Sequence, residues 1–163
     1  MNNGPGLAPA FLLSDAGFDV WVGNSRGSFH SRSHTTLSPE DDPEYWDFSF
    51  VEMGRYDLPA SIDYVLAQTG ASKLTYIGHS QGTTQMFLSL SERPDWWKER
   101  LHSFVALAPV CKLTHSRSSF LHAVAHAGTL RALNAAGINS FLPRNKLSSH
   151  ALSQVCNIAP QLC

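Results

Sequence analysis

The residues of this 163-residue chain best suited to chemistry are Gly78-His79-Ser80-Gln81-Gly82, in which a serine stands between two glycines. A serine hydroxyl is a weak nucleophile. It becomes effective when a histidine takes its proton and a third group orients that histidine. A serine between glycines can also belong to an ordinary loop. The elements on either side of the serine decide between the two interpretations.

These flanking residues predict a strand before the serine and a helix after it. Residues 73–77 (KLTYI) are rich in the β-branched and aromatic side chains typical of a buried strand, and residues 83–90 carry apolar side chains at helical spacing. A strand that turns through G-x-S-x-G into a helix is the nucleophile elbow of α/β-hydrolases. We therefore predict that Ser80 is a nucleophile exposed at the sheet edge. The backbone N–H of Gln81 is then a donor to the developing oxyanion.

Composition limits the class of protein. The length suits one domain with a hydrophobic core, and a net charge of −1 argues against nucleic-acid binding. Residues 1–100 hold 7 basic and 13 acidic side chains, whereas residues 101–163 hold 5 basic and none that are acidic, Glu99 being the last carboxylate. No stretch approaches the roughly 20 apolar residues of a transmembrane segment. The N-terminal residues also lack the features of a signal peptide.

Elements alternate along the chain in the order expected of a parallel sheet. The pattern predicts, in order, a helix over 7–16, a strand over 18–23, a short aromatic helix over 44–52, a helix over 56–68 stopped by Gly70, the elbow, and a strand over 102–108. Strands and helices in alternation without hairpin signals predict a partial α/β-hydrolase fold, with a parallel sheet and crossover helices. We assign residues 1–111 to this core. The Ala-, Leu-, Ser- and His-rich residues 112–163 are assigned to the start of a helical cap.

The sequence does not supply a complete catalytic triad in the usual order. In α/β-hydrolases the nucleophile is followed by an acid and then by a histidine. The carboxylates after Ser80 are Glu92, Asp95 and Glu99, all at or just past the end of the predicted elbow helix. No acid accompanies the histidines further along the chain, which are His102, His115, His122, His126 and His150. A loop able to supply the second oxyanion donor is missing as well.

Two clusters could have bound a metal or formed a disulfide. His122 and His126 are four residues apart and would share a helix face, but no third ligand stands near them, so a polar helix face is favoured over a metal site. Cys156 and Cys163 could form a local disulfide, which would indicate an oxidising compartment, and free or buried thiols fit equally well. With Cys111, the cysteines are too few and wrongly spaced for a zinc site.

The other prominent side chains are expected to have structural roles. Arg26, in the turn Asn24-Ser25-Arg26-Gly27, should brace its loop through hydrogen bonds rather than act in catalysis. We expect solvated histidines, helix caps or surface carboxylates, and an aromatic packing pair, namely His30 and His34, Asp57 and Asp63, and Trp96 and Trp97.

Four separated stretches share their order and spacing with a known family. They are GFDVWVGNSRG (17–27), WDFSFVEMGRYDLPASIDYVL (46–66), YIGHSQGTTQMF (76–87) and FVALAPV (104–110). Together they resemble the acid lipase family, which includes the gastric and lysosomal acid lipases. The resemblance is specific over residues 11–110. It is looser beyond 112, where the position suits the start of the family's lid-bearing cap.

The resemblance implies an enzyme that hydrolyses neutral-lipid esters, triacylglycerols or sterol esters, and that is secreted or lysosomal. It implies Ser80 as the nucleophile, the Gln81 N–H as one oxyanion donor, and no metal or organic cofactor. The basic side chains of the expected cap favour its contact with an anionic lipid interface. The family's first strands and its catalytic Asp and His have no counterpart here, so we expect a partial chain. The alternative is a catalytically silent, hydrolase-like chain that binds lipid or a partner.

Overall fold

The computed structural model describes residues 6–113 together with 115 and 117. The described residues divide into two compact units, which are treated separately. The first comprises the residues up to Arg26 together with Phe50–Pro109, and the second comprises Gly27–Ser49 with the described residues from Val110 onward. The features predicted further along the chain lie outside the described residues, namely most of the cap, His122, His126, His150, Cys156 and Cys163. The boundary at residue 111 therefore stays a prediction.

The first unit contains a parallel pair of strands joined through helices. Its elements are α1 (Pro9–Asp15), α2 (Phe50–Glu52), a π-helical turn (Met53–Asp57), α3 (Leu58–Thr69), β1 (Leu74–His79), α4 (Gln81–Glu92), α5 (Pro94–Arg100) and β2 (Leu101–Leu107). In the ladder Tyr76 lies opposite Phe104, and His79 lies opposite Leu107. The chain passes from β1 to β2 through α4 and α5, as a parallel connection requires. The predicted α/β class is confirmed.

The helix before β1 is longer than the sequence pattern predicts. It begins with α2 and continues through the π-helical turn into α3, which ends at Gly70 in the left-handed conformation (φ 69°) predicted for a helix stop. The prediction of one aromatic helix over 44–52 is wrong. A 3₁₀ helix spans Pro43–Trp46, and Asp47 then leaves helical geometry with ψ 65°, which separates it from α2.

The strand predicted over 18–23 is also wrong, since no strand is assigned to these residues. The sheet of the described residues contains β1 and β2, and neither pairs with this segment. Phe18, Trp21 and Val22 are 63%, 44% and 53% exposed, so no core covers either face. An alternating pattern is a property of the segment itself, whereas a strand also needs a neighbour for its backbone groups.

Side chains from three helices form the core of the first unit. Leu58, Ile62, Met86 and Trp97 are the buried members, and β1 and β2 pack against them through Tyr76, Phe104 and other partly buried residues. The indole N–H of Trp97 donates to Ser89 Oγ over 2.9 Å. Trp96 meets Trp97 edge to face, with ring centroids 4.7 Å apart. The predicted packing role of this tryptophan pair is confirmed.

An aromatic cluster holds the second unit together. Tyr45 is buried and meets the rings of Trp46 and Phe48, and the Arg32 guanidinium lies 5.2 Å from the centre of the Trp46 ring. His34 is exposed as predicted, but its Nδ1 also accepts the backbone N–H groups of Thr36 and Leu37 over 3.2 and 3.0 Å. His34 therefore closes a turn in addition to meeting solvent.

A salt bridge connects the π-helical turn to the end of α4. Arg55 Nε donates to Glu92 Oε2 over 3.0 Å, and a second guanidinium N–H donates to Oε1. This hydrogen bonding lowers the pKa of Glu92 below its ordinary value of 4.5. Because the unfolded chain then binds more protons in acid, the contribution of the pair is present above pH 4.5 and is lost as pH falls through the lower folded value.

Glu92→Gln tests this linkage. The variant should be less stable than the parent at neutral pH, and the difference should close as the solution is acidified, because the parent then protonates Glu92 as well. Urea unfolding from about pH 6 to about pH 3 measures the two stability profiles. Glu44→Gln, which neutralises an exposed carboxylate in the second unit, is the control. A gap between Glu92→Gln and the parent that does not change with pH would contradict the prediction.

Candidate active site at the serine turn

Ser80 lies between β1 and α4 in a backbone conformation that L-residues rarely adopt. Its φ is 51° and its ψ is −116°. Within the described part of the chain, Ser80 and Ala108 are the non-glycine residues with positive φ. Such a conformation costs about 1–3 kcal/mol, and it persists only when the surroundings enforce it. The first question about the site is therefore what holds the serine in place.

Hydrogen bonds hold the Ser80 backbone on both sides. Its N–H donates to the carbonyl oxygen of Leu107, the last residue of β2, over 3.0 Å. Its carbonyl oxygen accepts both the backbone N–H of Thr83 over 2.9 Å and the Thr83 hydroxyl over 2.6 Å. The neighbouring strand and the first turn of α4 therefore fix the same residue from opposite directions.

The two glycines of the motif allow β1 and α4 to approach closely. A Cβ atom on Gly78 would lie 2.9 Å from the carbonyl carbon and oxygen of Gly82, and a Cβ on Gly82 would lie 3.3 Å from the Tyr76 hydroxyl. Tyr76 donates that hydroxyl to the Gly82 carbonyl over 3.1 Å. Burial raises the pKa of Tyr76, which keeps the phenol protonated as a donor. Glycine at both positions therefore allows β1 and α4 to approach each other closely at this turn.

Gly78→Ala should destabilise the chain by about 1–3 kcal/mol, because the new methyl group meets backbone atoms that cannot rotate away. The urea midpoint at constant slope measures the loss. Gly23→Ala is the matched control, because nothing lies within 4 Å of a Cβ added there. If the two variants were equally stable, the close contact at Gly78 would not have its predicted importance.

The geometry leaves the serine hydroxyl accessible and places helix N–H groups beside it. Ser80 and Gln81 are both exposed, and among the described residues no side chain forms a hydrogen bond with the Ser80 hydroxyl. Gln81 is the first residue of α4, so its N–H is one of the donors that have no partner within the helix. The positive end of the helix dipole adds to this tendency to stabilise an anion.

The carboxylates that follow Ser80 do not converge on it. Glu92 ends α4, roughly 16 Å along the helix from its first residue, and it pairs with Arg55. Asp95 and Glu99 follow on α5. His102 lies near the start of β2, roughly 16 Å from the end that meets Ser80. Among the described residues that follow Ser80 in this unit, the site therefore contains N–H donors but no acid and base assembled around the serine.

Arg26 and Asp57 form a salt bridge at the start of α3, the helix that precedes β1. Arg26 Nε donates to Asp57 Oδ1 over 2.8 Å, and the Arg26 backbone N–H donates to Oδ2 over 2.9 Å. The bracing role predicted for Arg26 is confirmed. The prediction that Asp57 caps a helix or is simply exposed is wrong, because it makes no capping bond and its side chain is 17% exposed. The surface role predicted for Asp63 is confirmed by its exposed pair with Arg100.

Three residues near the serine carry contacts that the sequence patterns did not reveal. Tyr76 and Thr83 hold the turn, and Gln85 is buried on α4 between Ser25 and Met53, with polar contacts of 3.3 Å to each. A hydroxyl residue in the first helical turn was the available signal for Thr83, because such side chains often bond back to the backbone. Gln85 gave no signal, since its partners lie 60 and 32 residues away in sequence.

Comparison with known proteins identifies the class of this structure. Residues 3–138 match the family described as alpha/beta hydrolase fold. This match covers most of the chain and agrees with the parallel strands, the crossover helices and the strained serine between β1 and α4. The chain belongs to the α/β hydrolase fold family.

Individual relatives are lipases. The chain is 49% identical to gastric triacylglycerol lipase of Bos taurus over 120 residues, which is 74% of the chain and 30% of the lipase. It is 50% identical to lipase member K of Homo sapiens over 116 residues (71% and 29%). It is 43% identical to lysosomal acid lipase/cholesteryl ester hydrolase of Rattus norvegicus over 155 residues (94% and 38%). The chain thus spans about a third of these relatives, and the predicted resemblance to acid lipases is confirmed.

Proposed function

We propose that this chain carries the nucleophile of a carboxylic ester hydrolase that acts on neutral lipids such as triacylglycerols or sterol esters. The observation that carries the proposal is the strained, exposed Ser80 at the turn from β1 into α4. The names of the relatives supply the substrate class, since they include a triacylglycerol lipase and a cholesteryl ester hydrolase.

The proposed reaction is acyl transfer through a covalent intermediate. Ser80 Oγ attacks the ester carbonyl carbon and loses its proton to a general base, while the carbonyl oxygen becomes an oxyanion that accepts the Gln81 N–H. Collapse of this intermediate expels the alcohol, which takes the proton from the base. Water then hydrolyses the acyl-serine by the same route. In this proposal the base is a histidine outside the residues that the structure describes, and the acid that orients it is not a side chain of residues 100–163, which contain no carboxylate.

The proposal also includes contact with a lipid interface and the location of the protein. Residues 101–163 hold five basic side chains and no acidic ones, which favours contact of this region with an anionic lipid interface. The gastric and lysosomal relatives support a secreted or lysosomal location. No helix in the described part of the chain combines the length and apolar character needed to cross a bilayer.

The test is covalent labelling with a fluorophosphonate, which phosphonylates an activated serine. Intact mass should show one adduct, and peptide mapping should place it on Ser80. Ser91→Ala is the matched control, since Ser91 is an exposed serine on α4 whose hydroxyl donates to the Leu88 carbonyl of the same helix. The control should be labelled like the parent. An adduct on a residue other than Ser80 would contradict the proposed nucleophile.

The positions of the carboxylate side chains favour a second function, which is lipid binding without hydrolysis. Glu99 is the last carboxylate side chain in the sequence, and Glu92 is held by Arg55. A chain that cannot assemble an acid and a base would keep the hydrolase architecture and bind lipid without hydrolysing it. A folded chain that takes up no fluorophosphonate but floats with a triacylglycerol emulsion in a density gradient would support this second function over the first.

A further inference from the structure

The carbonyl oxygen of Ser80 and the N–H of Gln81 belong to one peptide group. Because that group is planar, its C=O and N–H point in opposite directions, and neither can turn without the other. Whatever fixes the Ser80 carbonyl therefore also fixes the direction of the Gln81 N–H. The hydrogen bonds to the Ser80 carbonyl therefore also fix the Gln81 N–H, the proposed oxyanion donor, although none of them involves that N–H directly.

Thr83 forms these hydrogen bonds from a buried position with a side chain of limited rotamer freedom. Its hydroxyl donates to the Ser80 oxygen over 2.6 Å and its backbone N–H donates to the same oxygen over 2.9 Å. The residue is 0% exposed, so water cannot take the place of its hydroxyl. Its β-branched side chain also has few available rotamers. The backbone bond is a normal feature of a first helical turn, whereas the hydroxyl bond depends on the choice of residue.

We propose that Thr83 is a positioning residue for the oxyanion donor. Its hydroxyl locks the Ser80–Gln81 peptide in the strained turn, so that the Gln81 N–H points to where the carbonyl oxygen of an ester becomes negative. This inference rests on the proposed hydrolase function for its catalytic consequence. Its structural part, control of the Gln81 N–H direction by Thr83, does not.

Three substitutions separate this role from a general effect on folding. Thr83→Val keeps the shape of the side chain and removes the hydroxyl. Thr83→Ser keeps the hydroxyl and removes the methyl group. Thr75→Val is the matched control, because Thr75 lies at the other end of β1 and its exposed hydroxyl pairs with Ser103 Oγ at 2.9 Å.

Two measurements are made on each purified chain. The residual dipolar coupling of the Gln81 N–H, measured by NMR in a weakly aligning medium, reports its direction without any need for activity. The rate of Ser80 phosphonylation, with kcat and KM for a soluble ester, reports the chemistry. We expect Thr83→Val to change the coupling and to lower kcat and the labelling rate about 10- to 100-fold with KM unchanged. Thr83→Ser and Thr75→Val should stay close to the parent.

The outcomes distinguish this inference from the proposed function. An unchanged Gln81 coupling in Thr83→Val would overturn the positioning role. A changed coupling with unchanged labelling would overturn the role of the Gln81 N–H as an oxyanion donor, and with it the catalytic part of the inference. A third outcome is that the parent is not labelled at all, while the Gln81 coupling differs from the parent's in Thr83→Val but not in Thr83→Ser. In that case the hydrolase function fails and the positioning role of Thr83 stands.

Discussion

Replacing Ser80 with glycine should abolish ester hydrolysis and, at the same time, make the chain more stable. The hydroxyl is the proposed nucleophile, so its removal should lower the rate at least about 1,000-fold. The backbone at this residue has φ 51°, which strains an L-residue and not glycine. Relief of about 1–3 kcal/mol of strain outweighs the greater chain entropy of glycine, about 0.5–1 kcal/mol, and leaves a net gain of about 1 kcal/mol.

Two companion variants separate the chemistry from the strain. Ser80→Ala removes the nucleophile but keeps a Cβ at positive φ, so it should lose hydrolysis without gaining the stability of Ser80→Gly. Ala108→Gly relieves the positive φ of Ala108, 46°, while Ser80 is kept. Urea unfolding and ester hydrolysis should be measured on all three. A Ser80→Gly variant no more stable than Ser80→Ala would show that the strain at this turn does not exceed the entropy cost of glycine, about 0.5–1 kcal/mol.

Trp97→Ala should cost about 3–5 kcal/mol of unfolding free energy, the largest stability effect we expect in this chain. Trp97 is 1% exposed and lies in the core with Leu58, Ile62 and Met86. Its removal opens a cavity among three helices. It also leaves the hydroxyl of Ser89, a residue that is 1% exposed, without its indole partner. For a domain at the lower end of ordinary stability, about 5 kcal/mol, such a loss approaches unfolding.

Trp97→Phe measures the hydrogen bond apart from the cavity, since it keeps most of the ring and should cost less than the alanine variant. Trp21→Ala is the control, because Trp21 is 44% exposed and its indole bonds Asp19 at the surface. Far-ultraviolet circular dichroism in urea is the appropriate probe, because each substitution removes one of the four tryptophans and so alters the fluorescence signal itself. Equal losses for Trp97→Ala and Trp21→Ala would contradict the assignment of Trp97 to the core.

The features that the sequence predicts correctly are those whose causes lie close together along the chain. Gly78, Ser80 and Gly82 fall within five residues, and the strand and helix around them follow from local composition. Gly70 ends α3 because glycine accepts a left-handed conformation without a Cβ clash. The tryptophan pair packs as predicted, because large aromatic side chains gain free energy when they are removed from water.

The features that the sequence does not predict depend on partners that are distant along the chain. The residues from 18 to 23 have the pattern of a strand, but a strand exists only when another lies beside it. Asp57 was expected to be a cap or a surface residue, whereas its partner Arg26 lies 31 residues earlier. The bonds from Thr83 to Ser80 are local, but which of several roles a helical threonine takes depends on the strained turn before it.

The number of residues in the π-helical turn over Met53–Asp57 determines which side chains of α3 face the core. Removing one residue there would turn α3 by about 100° about its axis and carry Leu58 and Ile62 away from Met86 and Trp97. Gly54 adds a second constraint, since a Cβ on it would lie 2.7 Å from the Gln85 carbonyl oxygen. Surface loops tolerate changes in length, whereas we expect a deletion in this segment to disrupt the core, because the number of residues here determines which side chains of α3 reach it.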